Sequence, residues 1–106
     1  MAKYLFRTRY TRAGIAGLIR EGGSGREEAL RQTVTGLGGT LEGFYYAFGD
    51  DDLLLIAELP DEEAAAALSL FVSAAGALNV SCTVLLTPET IDGAVNRTVR
   101  YRKPGD

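Results

Sequence analysis

The order in which hydrophobic periods succeed one another leaves this chain few folds to choose from. Residues 3–10, KYLFRTRY, alternate and are rich in aromatic side chains, the pattern of a half-buried strand. Tyr4, Phe6, Thr8 and Tyr10 fall on one side of it, and Lys3, Leu5, Arg7 and Arg9 on the other. Thr11 then offers an N-cap, and Ala13, Ile15, Ala16, Leu18 and Ile19 recur at helical spacing. Gly22 and Gly23 interrupt this helix. Ser24 and Glu27 form an S-x-x-E capping box that restarts it. Ala29, Leu30, Val34 and Leu37 continue its apolar face until Gly36, Gly38 and Gly39 end it.

The second half repeats the scheme. Residues 40–48 (TLEGFYYAF) and 52–59 (DLLLIAEL) read as two strands, joined by a hairpin turn at Gly49, Asp50 and Asp51. Leu53 to Ala57 are apolar on both faces, which places the third strand centrally. Pro60 closes it, Asp61 caps a helix over about 62–76, and Glu62 and Glu63 suit the positive end of that helix. Residues 78–86 alternate again as a fourth strand. Thr87 and Pro88 open a last short helix bearing Ile91, Ala94 and Val95. The order is β-α-β-β-α-β plus one helix, which predicts an α+β, ferredoxin-like split βαβ domain over residues 1–100 and a frayed tail at 101–106. Such a sheet carries helices on one face only. Apolar residues on both faces of the third and fourth strands predict a partner sheet on the other face, in a homodimer or higher oligomer of the dimeric α/β-barrel type.

Composition narrows the chemistry without naming any. The 106 residues contain no histidine, which removes the commonest metal ligand and the usual neutral-pH general base. The single cysteine, Cys82, falls on an apolar alternation and reads as a buried small hydrophobe. No cofactor or metal is expected. Residues 32–96 hold ten acidic groups and no Lys or Arg, between basic ends at 1–31 and 97–106. A net charge of −3 argues against nucleic acid as a partner and leaves the basic ends to attract the acidic middle within or between subunits. The chain has neither an apolar run able to span a membrane nor a signal-peptide core at its start, so a cytoplasmic location is expected.

Few residues suggest a site. Arg7 and Arg9 share one face of a strand, where two guanidiniums need partners. Glu42, Glu58 or acidic groups of a second subunit would serve, and the functional alternative is a clamp for a carboxylate ligand. Tyr45 and Tyr46 are the tyrosines best placed to line a pocket. The ligand-binding candidates are therefore Arg7, Arg9, Tyr45, Tyr46 and Glu58, around a cleft between helices and sheet. No catalytic residue is assigned. Asp50, Asp51 and Asp52 match no complete metal loop. Gly22 to Gly25 lack the lysine of a P-loop and follow no strand.

Four segments together carry a family resemblance: KYLFRTRYT at 3–11, REGGSGREEAL at 20–30, LGGTLEGFYYAFGDDDLLLIAELPD at 37–61 and TVLLTPE at 83–89. They resemble the GYD domain family, small bacterial proteins named for a Gly-Tyr-Asp signature in the second hairpin, and the likeness spans about residues 2–97. The resemblance implies a ferredoxin-like, dimeric-barrel fold and carries no agreed biochemical function. Gly49 and Asp52 match the signature, while Asp51 stands where the family has its Tyr. If the motif is a hairpin turn, Asp51 serves as well. The resulting expectation is a non-catalytic or small-molecule-binding homo-oligomer for a small, partly apolar or anionic ligand. The enzyme alternative is a cofactor-free monooxygenase or isomerase of the same barrel kind, working through Tyr, Arg and carboxylates.

Overall fold

A computed structural model describes Met1–Asp106. Four strands, β1 (Ala2–Tyr10), β2 (Thr40–Tyr46), β3 (Leu53–Leu59) and β4 (Leu78–Leu85), form one antiparallel sheet in the order β2-β3-β1-β4. Helices α1 (Arg12–Glu21) and α2 (Gly23–Gly36) follow β1, α3 (Glu62–Ala74) links β3 to β4, and α4 (Pro88–Val95) follows β4. This arrangement is consistent with the ferredoxin-like fold expected from the order of periods.

The side-chain alternation decides what the sheet buries. Tyr4, Phe6 and Thr8 on β1 and Leu53, Leu55, Ala57 and Leu59 on β3 are all buried beneath the helices. Leu30 and Val34 from α2 and Ala64, Ala65 and Leu68 from α3 close over them, with Leu41 from β2. The buried Thr8 hydroxyl on β1 donates to the Leu53 carbonyl at 3.1 Å, which satisfies it.

Local signals mostly act as read. Thr11 accepts from the Gly14 amide, Asp61 from Ala64 and Thr87 from Thr90, each capping its helix. The capping box at Ser24 and Glu27 does not form. The chain turns at Gly22 instead, at φ 87°, and α2 starts at Gly23 with no side-chain cap, leaving Ser24 inside its first turn. A left-handed backbone at Gly22 makes the break between α1 and α2, a conformation in which glycine is unstrained.

The β2–β3 turn also differs from expectation. Its left-handed residue is Phe48 (φ 54°) rather than Gly49 or an aspartate. The Phe48 ring stacks on Tyr46, with centroids 5.9 Å apart and planes 5° from parallel. Asp52 fastens the turn to β1: its amide donates to the Thr8 carbonyl at 2.8 Å, and its carboxylate accepts from the Tyr10 amide at 2.8 Å. Cys82 is exposed, contrary to the buried reading, because β4 is an edge strand and most of it faces solvent.

The face of the sheet away from the helices is open. Strand register places Leu5, Arg7 and Arg9 of β1 on it, beside Leu54, Ile56 and Glu58 of β3 and Tyr45 of β2. The expected pairing of Arg7 and Arg9 with Glu42 or Glu58 is not made within the chain. Glu42 bonds Lys3 at 3.0 Å, and Glu58 lies across from Lys3 in the ladder. The bond to Glu42, then its charge, raises the Lys3 pKa, with Glu58 adding to the effect.

Candidate functional site

Helices α2 and α3 lie over different strands, α2 over β2 and α3 over β4 and β3, so a gap opens between them. Its walls come from matching helical stripes. Residues 26, 29, 30, 33 and 37 recur on one side of α2, and 67, 68, 71, 72 and 75 on the facing side of α3. The result is a cleft of about 540 Å³, in which ten of the thirteen lining residues are hydrophobic. That volume lies within the roughly 300–1,000 Å³ usual for small-molecule sites. Leu30, Leu68, Val72 and Leu78 are shared between this cleft and a small void beneath it that reaches Phe6 and Leu55. The cleft floor is thus the domain core itself. Phe71 stands 76% exposed at the mouth, an apolar ring left in water unless something covers it.

One charged group lines this cleft. Arg26, in the first turns of α2, contributes its side chain to the lining and pairs with Glu21 at 3.6 Å. That pair is partly exposed and loose, so it holds the guanidinium weakly. The lining of the cleft contains no acidic side chain. An anion entering the cleft would therefore meet apolar walls and one cation.

A pair of phenols stands near Arg26. Tyr46 sits on the helix-covered side of β2, packs edge-on against Phe44 at 5.3 Å, and donates its hydroxyl to the Gly23 carbonyl at 3.3 Å. Burial, with the neighbouring Tyr10 phenol adding, pushes the Tyr46 pKa up to about 12, and Arg26 offsets only part of this. Tyr10 Oη is buried and makes no hydrogen bond. An unmet buried hydroxyl costs about 1–3 kcal/mol, and this one faces Tyr46 outside the lining of the cleft.

The predicted site residues do not form one group. Arg7, Arg9, Tyr45 and Glu58 lie on the open face of the sheet, whereas Tyr46 lies on the helix side. Tyr45 is largely exposed and adjoins Leu54 in the ladder. The cleft lies between α2 and α3 rather than between helices and sheet, none of the predicted residues lines it, and Arg26 supplies its cation. Arg26 was legible only as one member of the 26-30-33-37 stripe, a cation where the other positions hold Leu30, Thr33 and Leu37. No three acidic or cysteine side chains converge to hold a metal ion, and no helix is long and apolar enough to cross a membrane.

No curated protein and no solved structure gives a significant match to this chain. The family model for the GYD domain does, over residues 4–95, from the third residue of β1 to the end of α4. That span takes in the hairpin with Gly49 and Asp52, both walls of the cleft and all of the sheet but the first two residues of β1. On that match, the chain belongs to the GYD domain family.

Proposed function

We propose that this protein is a homodimeric binding module that holds a small, largely apolar monoanion, such as an alkyl or aryl carboxylate, in the cleft between α2 and α3. The observation that carries the reading is the composition of that cleft: apolar walls, an exposed Phe71 at the mouth, and Arg26 as the sole charged lining group. A carboxylate headgroup on Arg26 would make a charge-assisted bond, and the apolar part would cover Phe71 and Leu68. Catalysis fits less well. A phenol with a pKa of about 12 is a poor general base near neutral pH, and no histidine is present to take that role.

The homodimer part rests on the open sheet face. Leu5, Leu54 and Ile56 form an apolar strip there, flanked by Arg7 and Arg9, which have no ion pair in their own chain. A second copy packed antiparallel would bring Glu42 and Glu58 of one sheet over Arg7 and Arg9 of the other. Replacing both arginines with Gln would then weaken association.

Native mass spectrometry of the untreated protein reads subunit number and retained small molecules together. Calorimetric titration with a medium-chain carboxylate and its neutral primary amide then tests the cleft. The expected result is saturable carboxylate binding that weakens about tenfold or more in Arg26→Gln, while the amide binds both forms alike. Absence of saturable binding by any such carboxylate to the folded protein would overturn the reading.

A further inference from the structure

The last twenty residues do not belong to the body of the domain. A compact chain of this length has a radius of gyration of about 13 Å, whereas this one measures 17.0 Å and extends 57 Å along its longest axis. Helix α4 buries none of its residues, and no other element makes an extensive contact with it. Yet α4 is well specified as a helix: Thr87 caps it and Pro88 occupies its first turn. Eight residues are too few for a stable isolated helix in water, so its stability has to come from packing. Its apolar residues continue into the tail, and all stand in solvent: Ile91 at 47% exposure, Val95 at 74%, Val99 at 75% and Tyr101 at 75%. A helix with an unsatisfied apolar stripe and good caps is built to dock.

Charge indicates on what. Residues 97–106 carry four basic groups and one acidic group. Arg97 and Arg100 pair with no carboxylate, while the basic groups further on, Arg102 and Lys103, bond only to Asp106 within the tail. The acidic turn at Asp50–Asp52 likewise has no basic partner in its own chain. The two cannot meet easily within one protomer. The arm leaves β4 beside Lys3, and the turn adjoins Tyr10, seven residues along β1 and about 23 Å away. In an antiparallel pair of sheets, the arm of one copy starts at the end where the other copy's turn lies.

We infer that residues 87–106 are an exchanged arm, which packs its Ile91–Val95 stripe on a second copy of this chain and sets Arg97 and Arg100 against that copy's Asp50–Asp52 turn. The inference rests on the homodimer reading and adds a surface that the sheet face alone does not supply.

Sedimentation equilibrium over a dilution series tests it on three proteins: the full chain, the double variant Ile91→Asp/Val95→Asp, and the chain ending at Leu86. The full chain is expected to dimerise, with the dissociation constant at least about tenfold higher in both altered forms. A double-mutant cycle between Arg97→Gln/Arg100→Gln and Asp50→Asn/Asp51→Asn should show coupling, because the two pairs of changes remove the same contact. A dimer whose constant is unchanged in both altered forms overturns the arm and leaves the sheet-face dimer standing. A full chain that is monomeric throughout overturns the homodimer and the arm together. Loss of folding in the double variant, read by far-ultraviolet circular dichroism, would show that α4 packs on its own body and would overturn the exchange.

Discussion

Two glycines three residues apart in α1 should respond oppositely to the same added methyl. At Gly17, a Cβ would meet nothing nearer than the Arg20 guanidinium at 3.9 Å. Replacing glycine with alanine inside a helix gains about 0.8–1 kcal/mol of helix propensity, so Gly17→Ala should stabilise by roughly that amount. At Gly14, the only buried residue of α1, the same Cβ would lie 2.8 Å from Tyr10 Cδ1 and within the contact radius of the Ala77 carbonyl oxygen. That carbonyl has little freedom to yield, since it accepts the Thr11 amide at 2.9 Å and the Thr11 hydroxyl at 3.3 Å. Moving it would loosen the joint between the start of α1 and the start of β4. Overpacking of this kind costs about 1–3 kcal/mol, and a rigid backbone neighbour places the site at the upper end. Subtracting the propensity gain leaves Gly14→Ala destabilised by about 2 kcal/mol, or about 8–16 °C in Tm at this size. Urea unfolding of both variants at one fixed protein concentration, followed by circular dichroism, gives the comparison directly. Equal stability of the two variants, or a Gly14→Ala protein more stable than the parent, would refute the packing argument for how α1 is anchored.

Other measurements bear on the hairpin, the phenols and the thiol. Asp52→Ala removes the acceptor of the Tyr10 amide and should cost about 2 kcal/mol in urea unfolding, whereas Asp51→Tyr should stay within about 0.5 kcal/mol. Tyr46 has a folded pKa raised from 10.0 to about 12, so its contribution to stability is complete below pH 10 and is lost as pH rises toward 12. Tyr46→Phe should therefore flatten the decline in stability over that window and remove the highest step from the 295 nm tyrosinate titration. Burial of its sulfur raises the Cys82 pKa even though the residue is exposed, so iodoacetamide should alkylate it at pH 8 more slowly than it alkylates an unstructured cysteine peptide.

How much of this was legible in the sequence depended on whether each feature is set locally. The alternation in β1 and the caps at Thr11, Asp61 and Thr87 act over a few residues, and they held. The Ser24–Glu27 box failed because its competitor was also local and stronger: Gly22 accepts a left-handed turn that a capping serine two residues on cannot undo. Phe48 took the left-handed position in the hairpin because its ring stacks on Tyr46, a reward that turn propensities do not contain. Cys82 departs from the buried expectation for a topological reason. Its alternation is apolar, but β4 is the sheet's edge, and only the strand order reveals that. The candidate site was split by a parity that was readable in advance: Tyr45 and Tyr46 are adjacent in a strand and have to face opposite ways. Arg26 carries no such signal, because an arginine on a helix ordinarily means a solvated face, and the cleft that gives it meaning forms between elements distant in sequence.

The Gly49–Asp52 turn shows how one departure from a signature can leave a fold intact. Asp52, which matches, works through both backbone and side chain, holding β1 at the Thr8 carbonyl and at the Tyr10 amide. These bonds tie the hairpin to the central strand and fix the level of Tyr10, whose ring packs against Gly14 and whose hydroxyl lies near Tyr46. Asp51, which departs, contributes a backbone carbonyl that accepts the Gly49 amide at 3.0 Å, a bond any residue could supply. Its side chain enters no ion pair and no hydrogen bond within the chain. The constraint on this turn therefore falls on position 52, where an acceptor has to reach the Tyr10 amide, and not on position 51. The side chain at 51 is free for a task outside its own chain, and on a turn carrying three adjacent carboxylates, a basic arm from a second copy is a partner that its charge would favour.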